Sequence, residues 1–325
     1  MYGNGFPVEM NQAPNQQTLA HVTHVSGRGY WSGQKITLTF LPAGVGEGIR
    51  FRRIDLPGKP EIPALASYRS DAVLRTRLVH QGASVEMVEH VLAALYGMGI
   101  DNCIVECDAS EMPGLDGSAY AIALALFHAG TRSLEAPAIV HHIECGAKIG
   151  DDRAHVQIAP PEHSGLTLMY HLDYGKNSPI PSTSSTYLLS PDEFLHSIAP
   201  ARTFLTIQDA EQLQRAGVAQ HVTTRDLLIF GEFGPIQNQM RFPDECSRHK
   251  LLDLIGDLAL CGMRINGKVF AHRSGHQLNG RMAEFLMKSQ NHANPKALPG
   301  VNPSKTVNPS KTSSSPFETP SQRVA

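Results

Sequence analysis

Three short stretches of the chain carry residue types that can act on a substrate together. The longest reads Arg248-His249-Lys250-Leu251-Leu252-Asp253-Leu254-Ile255-Gly256-Asp257-Leu258. His249, Asp253 and Asp257 recur at i, i+4 and i+8, which on a helix is one polar stripe beside an apolar part made of Leu251, Leu252, Leu254, Ile255 and Leu258. A solvated amphipathic helix can also carry polar residues there, but an imidazole with carboxylates is the donor set that zinc takes. The second stretch is Glu89-His90, in the middle of an otherwise apolar helical pattern of Val85, Val88, Val91, Leu92 and Leu95. A Glu and a His buried there without partners would cost on the order of several kcal/mol. The third is Ser274-Gly275-His276, between a strand and a helix. Each histidine alone fits a hydrogen-bonded structural role. Together, His90, His249 and Asp253 offer two nitrogens and one oxygen, the three-ligand set that leaves a position open for water. Glu89 then stands beside a ligand as a candidate general base. His276 could be the cation that protonates a leaving amine or steadies an oxyanion, with Asp257 orienting it.

These residues need elements to hold them. Lys35 to Leu41 and Gly48 to Arg52 alternate with period two, as half-buried strands do, and Val73 to Val79 is a third candidate strand. A helix is expected over Ser84–Met98, with Ser84 as N-cap. Ile100 to Cys107 reads as a strand, and Tyr120 to Ala129 as an Ala/Leu-rich helix stopped by Gly130. Residues 131–138 lack periodicity and contain Pro137, which suggests a domain boundary. Strands then recur at Ile139–Ile143, Ala154–Ile158, Leu166–Tyr174 and Asp226–Phe230, with short helices at Asp192–Ile198 and Asp209–Ala216. The His249 helix is expected from near Asp244 to about Leu260, then a strand over Lys268–His272 and a last helix over Asn279–Gln290. The pattern gives an α+β chain with two halves of similar make-up. The expected division is a disordered segment 1–17, domain I over 18–133, a linker over 134–138, domain II over 139–290 and a disordered Pro/Ser/Thr-rich tail over 291–325.

Bulk properties narrow the function. At 325 residues, 41% hydrophobic and 18% charged, the chain is an ordinary globular one. A formal net charge of -2 argues against nucleic-acid or anionic-membrane binding by bulk electrostatics. The five cysteines are scattered without zinc-finger spacing, as in a reduced, cytoplasmic protein. No secretory signal or membrane span is expected.

Several blocks now resemble one family in order. Val88-Glu89-His90-Val91-Leu92-Ala93-Ala94-Leu95 with Gly99-Ile100-Asp101-Asn102 is similar to the first signature of the UDP-3-O-acyl-N-acetylglucosamine deacetylases, zinc enzymes of lipid A biosynthesis. Glu111-Met112-Pro113 with Leu115-Asp116-Gly117-Ser118-Ala119, then Ala201-Arg202-Thr203-Phe204, then Arg248 to Asp253 with Gly256-Asp257-Leu258, and Ser274-Gly275-His276 with Leu278-Asn279 resemble the rest, over about residues 18–290. The resemblance implies two similar two-layer α/β-sandwich domains with helices packed between two sheets and the site at their junction. It implies zinc on His90, His249 and Asp253, Glu89 as base, His276 as cationic acid or oxyanion stabiliser, and Asp257 as its orienting partner. It also implies Thr203 as the hydroxyl at the reacting carbonyl, with Lys250, Phe204 and Tyr174 at the substrate. The implied partner is an acylated UDP-amino-sugar, and the implied enzyme is a monomer. Whether Glu89 or His276 protonates the leaving amine stays open.

The chain departs from the family pattern in places. Gly27-Arg28-Gly29-Tyr30-Trp31-Ser32-Gly33 carries Trp31 where the family has His. Gly114 replaces an aliphatic residue, and Leu205 replaces a Gly. Trp31 and Leu205 motivate a second reading, a metal-dependent deacetylase of another N-acyl amino sugar or nucleotide sugar. A third is a non-catalytic acyl-nucleotide-binding paralogue, against which the complete set of polar residues argues.

Overall fold

The computed structural model describes residues 14–293. Most of the two segments expected to be disordered, 1–17 and 291–325, lies outside this range. The alternating run after the Gly-rich turn becomes the strand Lys35–Pro42, which buries Ile36, Leu38 and Phe40 on one face. It belongs to a five-stranded sheet ordered Thr23–Arg28, Lys35–Pro42, Cys103–Cys107, Ile49–Arg53, Glu61–Pro63. The central strand, Cys103–Cys107, runs antiparallel to Lys35–Pro42 and parallel to Ile49–Arg53.

The second sheet repeats this plan. Its order is Ala147–Gly150, His155–Ala159, Arg264–His272, Leu166–Leu172, Thr183–Leu188, with Val140–His142 also paired to the central strand. That central strand, Arg264–His272, is again antiparallel to one neighbour, His155–Ala159, and parallel to the other, Leu166–Leu172. The chain is α+β, and its two halves share one topology.

Six helices accompany the sheets among the described residues: α1 (Glu89–Gly97), α2 (Tyr120–Ala129), α3 (Pro191–Glu193), α4 (Ile207–Arg215), α5 (Glu245–Ala259) and α6 (His276–Ala293). In each half one helix precedes the central strand and one follows it, so α1 corresponds to α5 and α2 to α6. Helix α2 packs on Thr23–Arg28 of the first sheet, and α5 and α6 pack on the second. Helix α1 packs on α5 between them. The core is continuous across this layer, joining Phe40, Phe51, Leu92 and Leu95 to Tyr170, Leu251, Leu254 and Val269. Each such side chain stabilises the fold by roughly 1.5–3 kcal/mol through burial.

Several expectations need correction. Helix α1 begins at Glu89, because Ala83–Glu86 is a strand paired with Arg77–His80 and the chain reverses at Met87, whose φ is 61°. The β-branched Val85 sits opposite Leu78 in that ladder and both are fully buried, so cross-strand packing overrides the helical spacing. Residues 15–17 and 131–137 are not irregular: Asn15–Leu19 pairs antiparallel with Thr131–Pro137. Most of the expected linker is therefore an edge ribbon, where Pro137 loses no ladder bond that a central strand would need. Asp192–Ile198 is a short α-turn that widens into a π-turn over Phe194–Ile198, and the final helix begins at His276 rather than Asn279. Among the described residues no helix is long and apolar enough to cross a membrane.

Candidate metal centre

The polar stripe of α5 faces inward. His249, Asp253 and Asp257 are all buried, because α5 is covered by α1, α6 and the second sheet. The first turn of α1 meets α5 at Gly256. A Cβ there would lie 2.0 Å from the carbonyl oxygen of Glu89, so a glycine lets the first turn of α1 rest on the middle of α5. That contact brings Glu89 and His90 to the stripe.

His90, His249 and Asp253 then converge, each offering one donor atom within 4.8 Å of the others. Asp253 Oδ1 lies 3.6 Å from His90 Nε2 and 3.5 Å from His249 Nε2. Two donors at zinc-ligand distance on one tetrahedral ion stand about 3.3 Å apart, so the observed spacing suits such an ion. The tautomer is also right at His249. Its Nδ1 donates to the carbonyl of Ala201 at 3.1 Å, which leaves Nε2 with its lone pair toward Asp253. Burial pushes the His249 pKa down to about 4 against the pull of Asp253, so the ring is neutral near pH 7. Burial opposes the charge of Asp253, but His249 and Lys250 outweigh it and hold the carboxyl well below its usual range. Lys250 Nζ donates to Asp253 Oδ2 at 3.0 Å, which reserves Oδ1 for the cluster. The donor set fits a divalent metal of the zinc type.

A second group lies beside it. Glu89 is buried, and burial raises its pKa, with His276 and His90 pulling the other way. Its Oε2 accepts the Thr76 backbone N–H at 3.0 Å, and its Oε1 faces His276 Nε2 at 4.0 Å. His276 Nδ1 donates to Asp257 Oδ2 at 2.9 Å, as the stripe predicted. Burial works against the His276 cation, but Asp257 and Glu89 outweigh it and push the pKa up to about 9. Asp257 is fully satisfied: Asn279 Nδ2 donates to the same Oδ2 at 3.0 Å, and the Thr76 hydroxyl donates to Oδ1 at 2.5 Å.

The expected substrate residues lie next to this centre. Phe204 meets the His249 ring edge-on at 6.1 Å and Tyr174 edge-on at 6.0 Å, so the three form one aromatic wall. Lys250 is buried beside Tyr170 and Tyr174; burial lowers its pKa, but Asp253 and the two tyrosines together raise it more, and it stays charged. Thr203 is half-buried between Ala201 and Phe204, anchored by its N–H on the Gly117 carbonyl at 2.7 Å. Its hydroxyl bonds to no other described residue. Arg202, between Ala201 and Thr203, forms a buried ion pair with Glu245 at 2.8 Å in the first turn of α5. This pair pins the loop whose carbonyl sets the His249 tautomer.

Thr76 and the Glu245 partner of Arg202 were missed by sequence reasoning, and Arg202 and Asn279, though part of the family-like blocks, were given no role. Thr76 gave one signal: between Arg75 and Arg77 it takes the same strand face as the apolar Leu78, an unusual place for a hydroxyl. Asn279 lies one turn after His276 on α6, a spacing that shares a face. The departures also have places. Gly114 lies against Tyr30, whose ring atoms are 2.2 Å from where a Cβ would be. Trp31 stacks under the Arg75 guanidinium at 4.3 Å, and its backbone N–H donates to Glu111 Oε1 at 2.7 Å. Nothing in the structure explains Leu205.

Comparisons with known proteins point to one family. The profile of the family described as UDP-3-O-acyl N-acetylglycosamine deacetylase (LpxC) matches residues 16–288. A UDP-3-O-acyl-N-acetylglucosamine deacetylase of Myxococcus xanthus is 37% identical over 275 residues, covering 84% of this chain and 86% of the relative. The protein of the same name from Anaeromyxobacter dehalogenans is 39% identical over 274 residues, 84% of this chain and 87% of its own. That of Actinobacillus succinogenes is 36% identical over 279 residues, 85% and 90% of the two chains. With a family match and relatives of this extent, the chain belongs to the UDP-3-O-acyl N-acetylglycosamine deacetylase family.

Proposed function

We propose that this chain is the zinc-dependent deacetylase that hydrolyses the 2-acetamido group of UDP-3-O-(3-hydroxyacyl)-N-acetylglucosamine, giving the free amine and acetate in lipid A biosynthesis. The observation that carries the proposal is the convergence of His90, His249 and Asp253 beside the Glu89 carboxylate and the His276–Asp257 pair. Family membership supports the same reading.

His90, His249 and Asp253 hold the ion, and zinc bound there supplies Lewis acidity to the amide carbonyl and to water. Glu89 takes the proton of the attacking water. Its raised pKa makes it a stronger base than an exposed carboxylate, and the Thr76 N–H fixes one oxygen so that the other faces the reaction. Negative charge developing on the amide oxygen is met by the Thr203 hydroxyl and by the His276 cation. His276 is protonated near pH 7 because its pKa lies at about 9, so a proton is also at hand for the departing amine. Asp257 keeps that ring in place through Nδ1. Lys250, Phe204 and Tyr174 contact the substrate, Phe204 beside His249, Tyr174 against Phe204 and the lysine beside Asp253. The reading includes a cytoplasmic, monomeric enzyme.

Acetate release from the acylated UDP-sugar, with metal analysis of the same sample, tests the proposal. One zinc per chain, activity lost on chelation and restored by zinc, and little turnover of the non-acylated sugar are expected. Equal rates on the two sugars would remove the lipid A reading and favour a broader N-acyl sugar deacetylase.

A further inference from the structure

We propose that Thr76 is a positioning residue that ties the base of this site to its acid, a role that rests on the deacetylase reading above. Thr76 is 1% exposed and lies just ahead of the strand Arg77–His80. All three of its polar groups are committed. Its N–H donates to Glu89 Oε2 at 3.0 Å, and its carbonyl accepts the Val88 N–H at 3.5 Å. Its hydroxyl donates to Asp257 Oδ1 at 2.5 Å, across the contact between the two halves.

The two ends of this bridge do different work. The backbone N–H fixes one Glu89 oxygen and so aims the other at His276 Nε2. The hydroxyl occupies the one oxygen of Asp257 that His276 and Asn279 do not use. Without it, a fully buried carboxylate oxygen would have no donor, and the carboxylate could turn about its bond to the chain, taking the His276 ring with it. The segment is itself braced. Arg75, next in sequence, is held between the Trp31 ring at 4.3 Å and Glu86 Oε2 at 2.9 Å. Thr76 thus sets the distance and angle between Glu89 and His276 from a loop of the first half, without touching substrate.

The test uses the full-length, metal-loaded chain and two variants. Thr76→Val keeps the volume and the backbone bond but removes the hydroxyl; Thr76→Ser keeps the hydroxyl and removes a methyl. Thr76→Val should lose about 10- to 100-fold in kcat for acetate release with KM nearly unchanged and metal content at the wild-type level. Thr76→Ser should keep most of the rate. The downfield proton NMR signal of the His276 Nδ1–H, bonded to Asp257, should stay sharp in the wild type and Thr76→Ser and broaden in Thr76→Val. A wild-type kcat and an unchanged signal in Thr76→Val would overturn the role, as would equal losses in both variants, which mark packing alone. If the wild-type chain releases no acetate, the deacetylase reading fails instead. The NMR signal of Thr76→Val then decides the positioning role by itself: broadening supports it and an unchanged signal overturns it.

Discussion

The two halves of the molecule have one strand order and unlike helices. Helix α1 contributes two adjacent residues, Glu89 and His90, from its first turn. Its counterpart α5 contributes a stripe of three, His249, Asp253 and Asp257, spread over its length. Each half also inserts chain at the same place, between its last sheet strand and the helix that precedes the central strand. In the first half the insert is the small sheet of Arg69–Ser70, Arg77–His80 and Ala83–Glu86, with Thr76 in the loop before its second strand. In the second it is Phe204–Thr206, α4 and Leu228–Gly231, preceded by Thr203. A repeated scaffold thus brings equivalent helices face to face, and the unlike residues on them divide the chemistry. On the proposed reading, the first half would bring the base and one ligand, and the second two ligands and the acid.

This division can be broken from either side. The largest effect is expected at Asp253, which serves both the donor cluster and Lys250. Asp253→Ala should abolish metal retention and leave the buried Lys250 unpaired, lowering stability by about 3–5 kcal/mol, as read by metal analysis and denaturant melts. Next is Glu89→Gln, which removes the proposed base but leaves the donor cluster intact. Activity should fall about 10²- to 10⁴-fold with metal content unchanged, and a variant that keeps the wild-type rate would rule out Glu89 as the base. Gly256→Ala probes the contact itself. The added Cβ has no room against Glu89, so a loss of about 1–3 kcal/mol in stability is expected with a parallel loss of metal affinity. The mildest test is pH. If the reaction uses Glu89 ionised and His276 protonated, as proposed, the rate should rise as Glu89 loses its proton and fall above about pH 9 as His276 loses its own. His276→Gln should lower the plateau and remove the alkaline fall; an alkaline limb that persists would assign it to another group.

Much of this site was legible before the fold. The stripe on α5 follows from helical spacing, and the pairing of Asp257 with His276 follows from the need of a cationic imidazole for a carboxylate. What escaped was long-range. Thr76 reaches Asp257 across 181 residues of sequence, and no local period encodes that. Ser84 to Glu86 has helical spacing with the apolar run after it, yet the strand wins because Val85 packs against Leu78. The edge ribbon of Asn15–Leu19 with Thr131–Pro137 has no apolar alternation, since the face of Thr131–Pro137 is largely exposed. The departure at Gly114 is a compensation for Tyr30, visible only once the ring is seen against it.

On the proposed reading neither half should hold a metal alone, because the donor cluster is split between α1 and α5. His90 is the first half's member of the donor cluster, and His249 and Asp253 remain intact on α5 when it is removed. The metal content per chain of purified His90→Ala, measured after dialysis against a weak chelator, tests this directly. Retention should fall far below that of the wild-type chain treated in the same way. Wild-type retention in His90→Ala would show that α5 holds the ion without the first half, and would contradict a centre built by both.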